Sequence, residues 1–178
     1  MTVRDALKRA TRNVHDRLDA SLSSYRLDDR DSYRAFLIAQ AAAFLPIERA
    51  LSEAGAAQLV PGWAATLRSP SLLDDLAALG ASDIREVVPP SYAGEEEVLG
   101  GIYVLEGSRM GAAVLARTIP AGFPRRFLSM RPPPGHWAGI VATLERILCS
   151  SVGVNIATAA AQRTFACFEK AAGIDPRS

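Results

Sequence analysis

Lysine and cysteine are scarce in this 178-residue chain: Lys8 and Lys170 are its only lysines, Cys149 and Cys167 its only cysteines. Two cysteines without CxxC spacing exclude a disulfide framework and a zinc ribbon, so both are expected as reduced core residues of a cytoplasmic protein. The remaining basic residues are arginines spread along the chain, and the formal net charge is +1. That balance lacks the basic stripe a nucleic-acid partner requires. Long apolar runs are also missing, because residues 35–47 are interrupted by Gln40 and Pro46. The opening MTVRDALKRATRNVHD is charged and has no apolar leader core, so neither a secretory signal nor a membrane partner is expected. HExxH, the P-loop, GxGxxG after a strand and GxSxG are all absent.

What is present is helical. Hydrophobic residues make up 49% and charged residues 22%, with a mean hydropathy of +0.10 raised mostly by alanine. No alternating pattern with turn chemistry marks a strand, so a single all-α bundle is expected over residues 1–178. The first helix spans residues 3–22, with Leu7, Thr11, Val14, Leu18 and Leu22 as its buried stripe. A second opens at Asp31 or Ser32, is kinked by Pro46 and ends at Gly55. Short helices follow at residues 63–67 and 71–79, then a Pro-Pro loop before Tyr92. Beyond residue 120, a proline- and arginine-rich connection (123–135) leads to a helix at 137–148 and a break at 150–155. The last helix, 156–172, turns Ala157, Ala161, Phe165 and Phe168 inward.

Between these lies a helix carrying residues that helices avoid. Residues 95–117 read EEEVLGGIYVLEGSRMGAAVLAR, with Gly100, Gly101, Gly107 and Gly111 in its interior. Each costs about 1 kcal/mol relative to alanine. At helical spacing Gly100, Val104, Gly107 and Gly111 share one face. A face without side chains admits close approach by another helix or by a planar ligand, and the glycines alone leave both open.

The two histidines differ in promise. His136 follows Pro-Pro-Pro-Gly and is expected as a capping or surface residue. His15 lies about 80° around its helix from Leu7, at the rim of the apolar stripe. Asp19 is one turn on and Lys8 two turns back, about 10 Å along the axis. A carboxylate at i+4 can hold one ring N–H and leave the other nitrogen for a metal, while a lysine farther along meets a ligand carboxylate. A satisfied surface histidine is the competing reading of the spacing. One imidazole cannot build a zinc site, but it is enough for haem iron, whose equatorial ligands come from the porphyrin.

At this point two motifs become specific. LKRATRNVH at residues 7–15 resembles the proximal-helix motif of haem oxygenases, and YVLEGSRMG at 103–111 resembles the distal-helix motif of their bacterial members. The resemblance covers nearly the whole chain. It implies the haem-oxygenase bundle, with haem held between the N-terminal helix and the glycine-containing helix. It implies oxidative opening of haem to biliverdin with release of CO and ferrous iron, using O2 and a donor such as a ferredoxin or flavin reductase. By the same resemblance His15 is the iron ligand, with Asp19 behind it. Lys8 meets a propionate, and Gly107, Ser108 and Gly111 lie against the distal face. Thr11, Val14, Tyr103, Phe165 and Phe168 wall the pocket.

Three departures accompany it. Ser108 stands where many members carry an aspartate that orders water. No basic residue follows Trp137 until Arg146, so Arg131, Arg125 or Arg126 is expected to replace the second propionate anchor. Arg109 falls inside the distal motif, either pointing outward or reaching a propionate. A haem carrier of the same fold without turnover, and a helical interaction module packed through its glycines, are the alternatives.

Overall fold

The computed structural model describes residues 2–173, and the chain ends beyond these lie outside it. No strand occurs among the described residues. α1 (Val3–Leu22) begins at Thr2, whose hydroxyl accepts from the Asp5 amide, and it buries Leu7, Thr11 and Leu18. α2 (Arg30–Glu53) begins just ahead of the expected residues because Asp29 is the cap, accepting from the Ser32 amide.

α2 runs on through Pro46. A proline leaves the carbonyl four residues earlier without its helical partner. Here that carbonyl, on Ala42, accepts from the Val87 amide at 2.8 Å. The freed carbonyl beside the proline thus becomes a docking point for the loop that leads toward Tyr92.

After α2 come α3 (Ala56–Leu59), a 3-10 turn (Trp63–Thr66) and α4 (Ser69–Ala78). α5 (Glu95–Leu115) is the glycine-bearing helix, and α6 (Arg126–Ser129), α7 (His136–Ile147) and α8 (Ser151–Ala171) complete the order. α8 starts five residues earlier than expected. Ser150 caps it by accepting from Gly153, so the Ser-Ser-Val-Gly stretch that reads as a break is the first turn of a helix. Cys149 is exposed and Cys167 half-buried, which corrects the expectation that both are core residues.

α5 packs most extensively on α8, and two of its glycines explain how closely. A Cβ on Gly100 would stand 2.2 Å from the Ala157 carbonyl oxygen, and one on Gly101 would stand 2.7 Å from both Leu51 and Tyr92. Ala157, Ala160 and Ala161 on α8 are fully buried. α1 also lies along α8, yet α1 and α5 scarcely touch. Their separation is the structural fact on which the site depends. α2 and α5 are apolar and long enough to cross a membrane, but 67% and 56% of those stretches are buried within the protein, as in core helices.

Candidate functional site

The gap between α1 and α5 is a cavity of about 600 Å³. α1 contributes Lys8, Thr11 and His15, α5 contributes Val104, Gly107, Ser108 and Gly111, and the end wall includes Phe165 and Phe168 of α8. Arg4, Lys8 and Arg12 stand one turn apart along α1, so a row of cations edges the cavity.

His15 enters this space from the rim. Its Nδ1 is 3.2 Å from Asp19 Oδ2, and its ring stands edge-on to Phe165 with centroids 6.0 Å apart. With Nδ1–H donating to Asp19, Nε2 carries the lone pair, which is the tautomer a metal ligand needs. Asp16 is farther off, at 3.9 Å.

Opposite, the α5 glycines divide by role. Gly100 and Gly101 are filled against protein, as described above. A Cβ on Gly111 would meet nothing within 4 Å, and one on Gly107 would meet only Trp137, at 3.8 Å. The one glycine face thus serves close helix packing at its start and an open surface at its middle. Tyr103 lies between these stretches beside Trp137, with centroids 6.2 Å apart. Burial pushes its phenol pKa up, against the pull of a hydrogen bond with Thr11.

Arg68 is a cavity residue that no sequence signal announced. Its side chain is fully buried, stacked over Phe44 at 4.5 Å and Phe127 at 5.2 Å. Its Nη2 donates to Ser108 Oγ at 2.7 Å and to the Leu105 carbonyl at 2.6 Å. Ser108 in turn donates to that same carbonyl. Arg68 Nε is buried without a partner. Burial pushes the guanidinium down to about 9, the Arg109 charge adds to this, and Glu106 and Glu48 oppose it. Arg68 is still protonated at neutral pH. The Glu48 carboxylate itself is committed to the Arg68 and Ser69 amides at the start of α4.

Several expected residues go elsewhere. Arg109 turns away from the cavity, because Glu106 one turn back and the Thr66 carbonyl take its guanidinium. Arg131 borders a separate, smaller hollow behind Trp137. Arg125 donates to the carbonyls of Ala116 and Ile119, and Arg126 pairs with Asp74. Val14 packs into the core beside the cavity without lining it. His136 is neither a cap nor exposed: its Nε2 lies 2.7 Å from Glu106, with 6% of the side chain accessible. Arg4 and Arg12 occupy the cavity edge that Arg131 and Arg109 were expected to reach, and their i, i+4 spacing with Lys8 was the signal available in the sequence.

The family described as "Heme oxygenase" matches residues 1–172 of this chain. The chain belongs to the haem oxygenase family. Among its relatives is "Heme oxygenase" of Xanthomonas campestris pv. campestris (strain 8004), 30% identical over 155 residues, which are 84% of this chain and 93% of that one. "Heme oxygenase PigA" of Pseudomonas aeruginosa is 29% identical over 166 residues, covering 87% and 83%. In fold the chain is similar to the NO- and CO-bound heme oxygenase from Neisseria meningitidis, with a TM-score of 0.82, 22% identity, and coverage of 100% and 96%. As a haem oxygenase it is an all-α enzyme of haem degradation.

The cavity fits the flat, dianionic substrate of a haem oxygenase in three respects. Its volume lies in the range of small-molecule sites, about 300–1,000 Å³. Of the two glycines facing it, Gly111 has open space where a side chain would stand and Gly107 has only the edge of Trp137. A single imidazole sits on the opposite wall, with cations rather than carboxylates continuing along α1 toward its N-terminus.

Proposed function

We propose that haem lies between α1 and α5, with His15 as the protein ligand to its iron and the Gly107–Gly111 backbone against its other face. Bound haem supplies both the iron that activates O2 and the ring that is oxidised, opening to biliverdin with release of CO and ferrous iron on electrons from a donor such as a ferredoxin or flavin reductase. The observation that carries this reading is the opposition of His15 to Gly107 and Gly111 across one cavity.

The chain's own part is binding, orientation and control of polar contacts. Asp19 holds His15 in the tautomer and orientation that present Nε2. Arg4, Lys8 and Arg12 provide the cations for the propionates, all from one helix, in place of a second anchor near Trp137. Phe165, Phe168 and Leu128 keep water from the ring. Ser108 spends its proton on the Leu105 carbonyl and one lone pair on Arg68, so it can accept from a water but not donate to one. The unpartnered donor behind the serine is Arg68 Nε, so the charged group there is a guanidinium where many members carry an aspartate.

Adding hemin to the purified protein is expected to shift and sharpen the Soret band at one equivalent. Supplying reductant and oxygen is then expected to yield biliverdin. Absence of a Soret change contradicts the haem site, and stoichiometric binding without ring opening supports a carrier.

A further inference from the structure

On the side of α5 turned from the cavity, three ionisable groups are buried together. Glu106 accepts from Arg109 Nε and Nη2, and its Oε2 is 2.7 Å from His136 Nε2. The three side chains are 3%, 8% and 6% accessible. Arg109 also donates to the Thr66 carbonyl, at the end of the 3-10 turn and two residues before Arg68. Three separate parts of the chain are therefore tied together: α5 and the first residue of α7 meet at the Glu106 carboxylate, and the 3-10 turn joins them through Arg109.

The position of this cluster is what gives it consequence. Glu106 and Arg109 are the residues on either side of Gly107 and Ser108, which face the cavity. His136 is followed by Trp137, which borders the cavity and stands nearest to where a Gly107 side chain would be. Gly107 and Gly111 have no side chains with which to hold this stretch of α5 in place, and glycine is the residue least able to hold a helix by itself. Ordinary packing fixes the start of α5, around Gly100 and Gly101. Charged bonds fix its middle.

We propose that Glu106, Arg109 and His136 are positioning residues that set the height of the Gly107–Ser108 backbone and of Trp137 over the haem, and through them which edge of the ring is attacked. The proposal rests on the reading that haem occupies this cavity. None of the three touches the ring; they act through Gly107, Ser108 and Trp137.

The test compares wild type, His136→Ala, His136→Gln and Glu106→Gln with two readouts. In hemin-free protein, hydrogen–deuterium exchange of the amides from Gly107 to Gly111 is expected to rise about tenfold in His136→Ala, with α8 amides unchanged. In hemin-loaded protein, chromatography of the biliverdin isomers is expected to show a second isomer in His136→Ala at unchanged hemin stoichiometry. Glutamine places an amide N–H near the position of Nε2, so His136→Gln is expected to restore both toward wild type. If His136→Ala does not fold, Glu106→Gln, which keeps the shape and removes the charge, is expected to show the same two changes. Wild-type exchange in the variants overturns the clamp. Faster exchange with an unchanged isomer pattern reduces it to a structural contact and overturns the positioning role. If wild type binds no hemin, the functional reading fails, while the exchange experiment still decides whether the clamp exists.

Discussion

At His15 the chemistry is set by a neighbour one turn away, and at Arg68 it is set by burial. The difference governs what substitution should do. His15 remains half-exposed beside Asp19, so its identity contributes little to folding, and in the proposed site its part is ligation. Arg68 is buried against two aromatic rings with one nitrogen unpartnered, and that burial pushes its guanidinium down to about 9. A charge held this way costs desolvation that an apolar residue of similar length does not. Arg68→Met is therefore expected to melt at or slightly above wild type while forming biliverdin about tenfold more slowly or worse, because Ser108 loses its donor. Calorimetry and single-turnover absorbance measure the two. A lowered melting temperature with turnover per bound hemin intact would make Arg68 a stability residue instead. The local partners of His15, at i+4 and i−7, left a satisfied surface histidine open, and the nine-residue motif around it singled it out. Arg68 was hidden because nothing near that residue in the chain reports that Phe44, Ser108 and Phe127 converge on it.

Among the elements, α5 shows one sequence pattern performing two physical tasks. Gly100 is needed because α8 backbone fills the space its Cβ would take, whereas Gly111 opens onto the cavity. Gly100→Ala is expected to force the helix pair apart at a cost of about 1–3 kcal/mol. For a domain of this size that is a fall of roughly 2–12 °C in melting temperature. Gly111→Ala is expected to hold or raise the melting temperature, since alanine gains about 1 kcal/mol in a helix. Its methyl group enters the ligand space, so hemin affinity should drop. Thermal melts and hemin titrations of the two variants should give opposite profiles, and equal destabilisation by both would contradict the division. Helical periodicity located α5 and grouped three of its glycines on one face, but it could not say where the helix contact ended and the cavity began. That boundary depends on where α8 lies. The start of α8 was hidden for a related reason, since Gly153 reads as a breaker until Ser150 is seen to cap the turn.

Across the whole molecule, α8 acts as the common support on which α1 and α5 lean without closing on each other, and the cavity is the space this leaves. The fold class and most helix boundaries were legible in the sequence because amphipathic periodicity and caps are local. His15 and the glycine face were legible as the two sides of one cavity because each lies in a compact motif. Long-range polar assignments were not, as Arg109 and His136 illustrate: one left its expected place at the cavity and the other left the surface, both for Glu106. The cation row Arg4, Lys8 and Arg12 places the cationic edge of the cavity on α1, the helix that also carries His15.

The central claim, that α1 delivers the iron ligand to a cavity faced by the α5 glycines, is tested most directly by the optical spectrum of the hemin complex of His15→Ala, recorded with and without added imidazole. The expected result is weaker hemin binding, loss of the histidine-ligated spectrum, and its return when imidazole occupies the vacated position. A wild-type spectrum in the variant without imidazole would contradict the assignment.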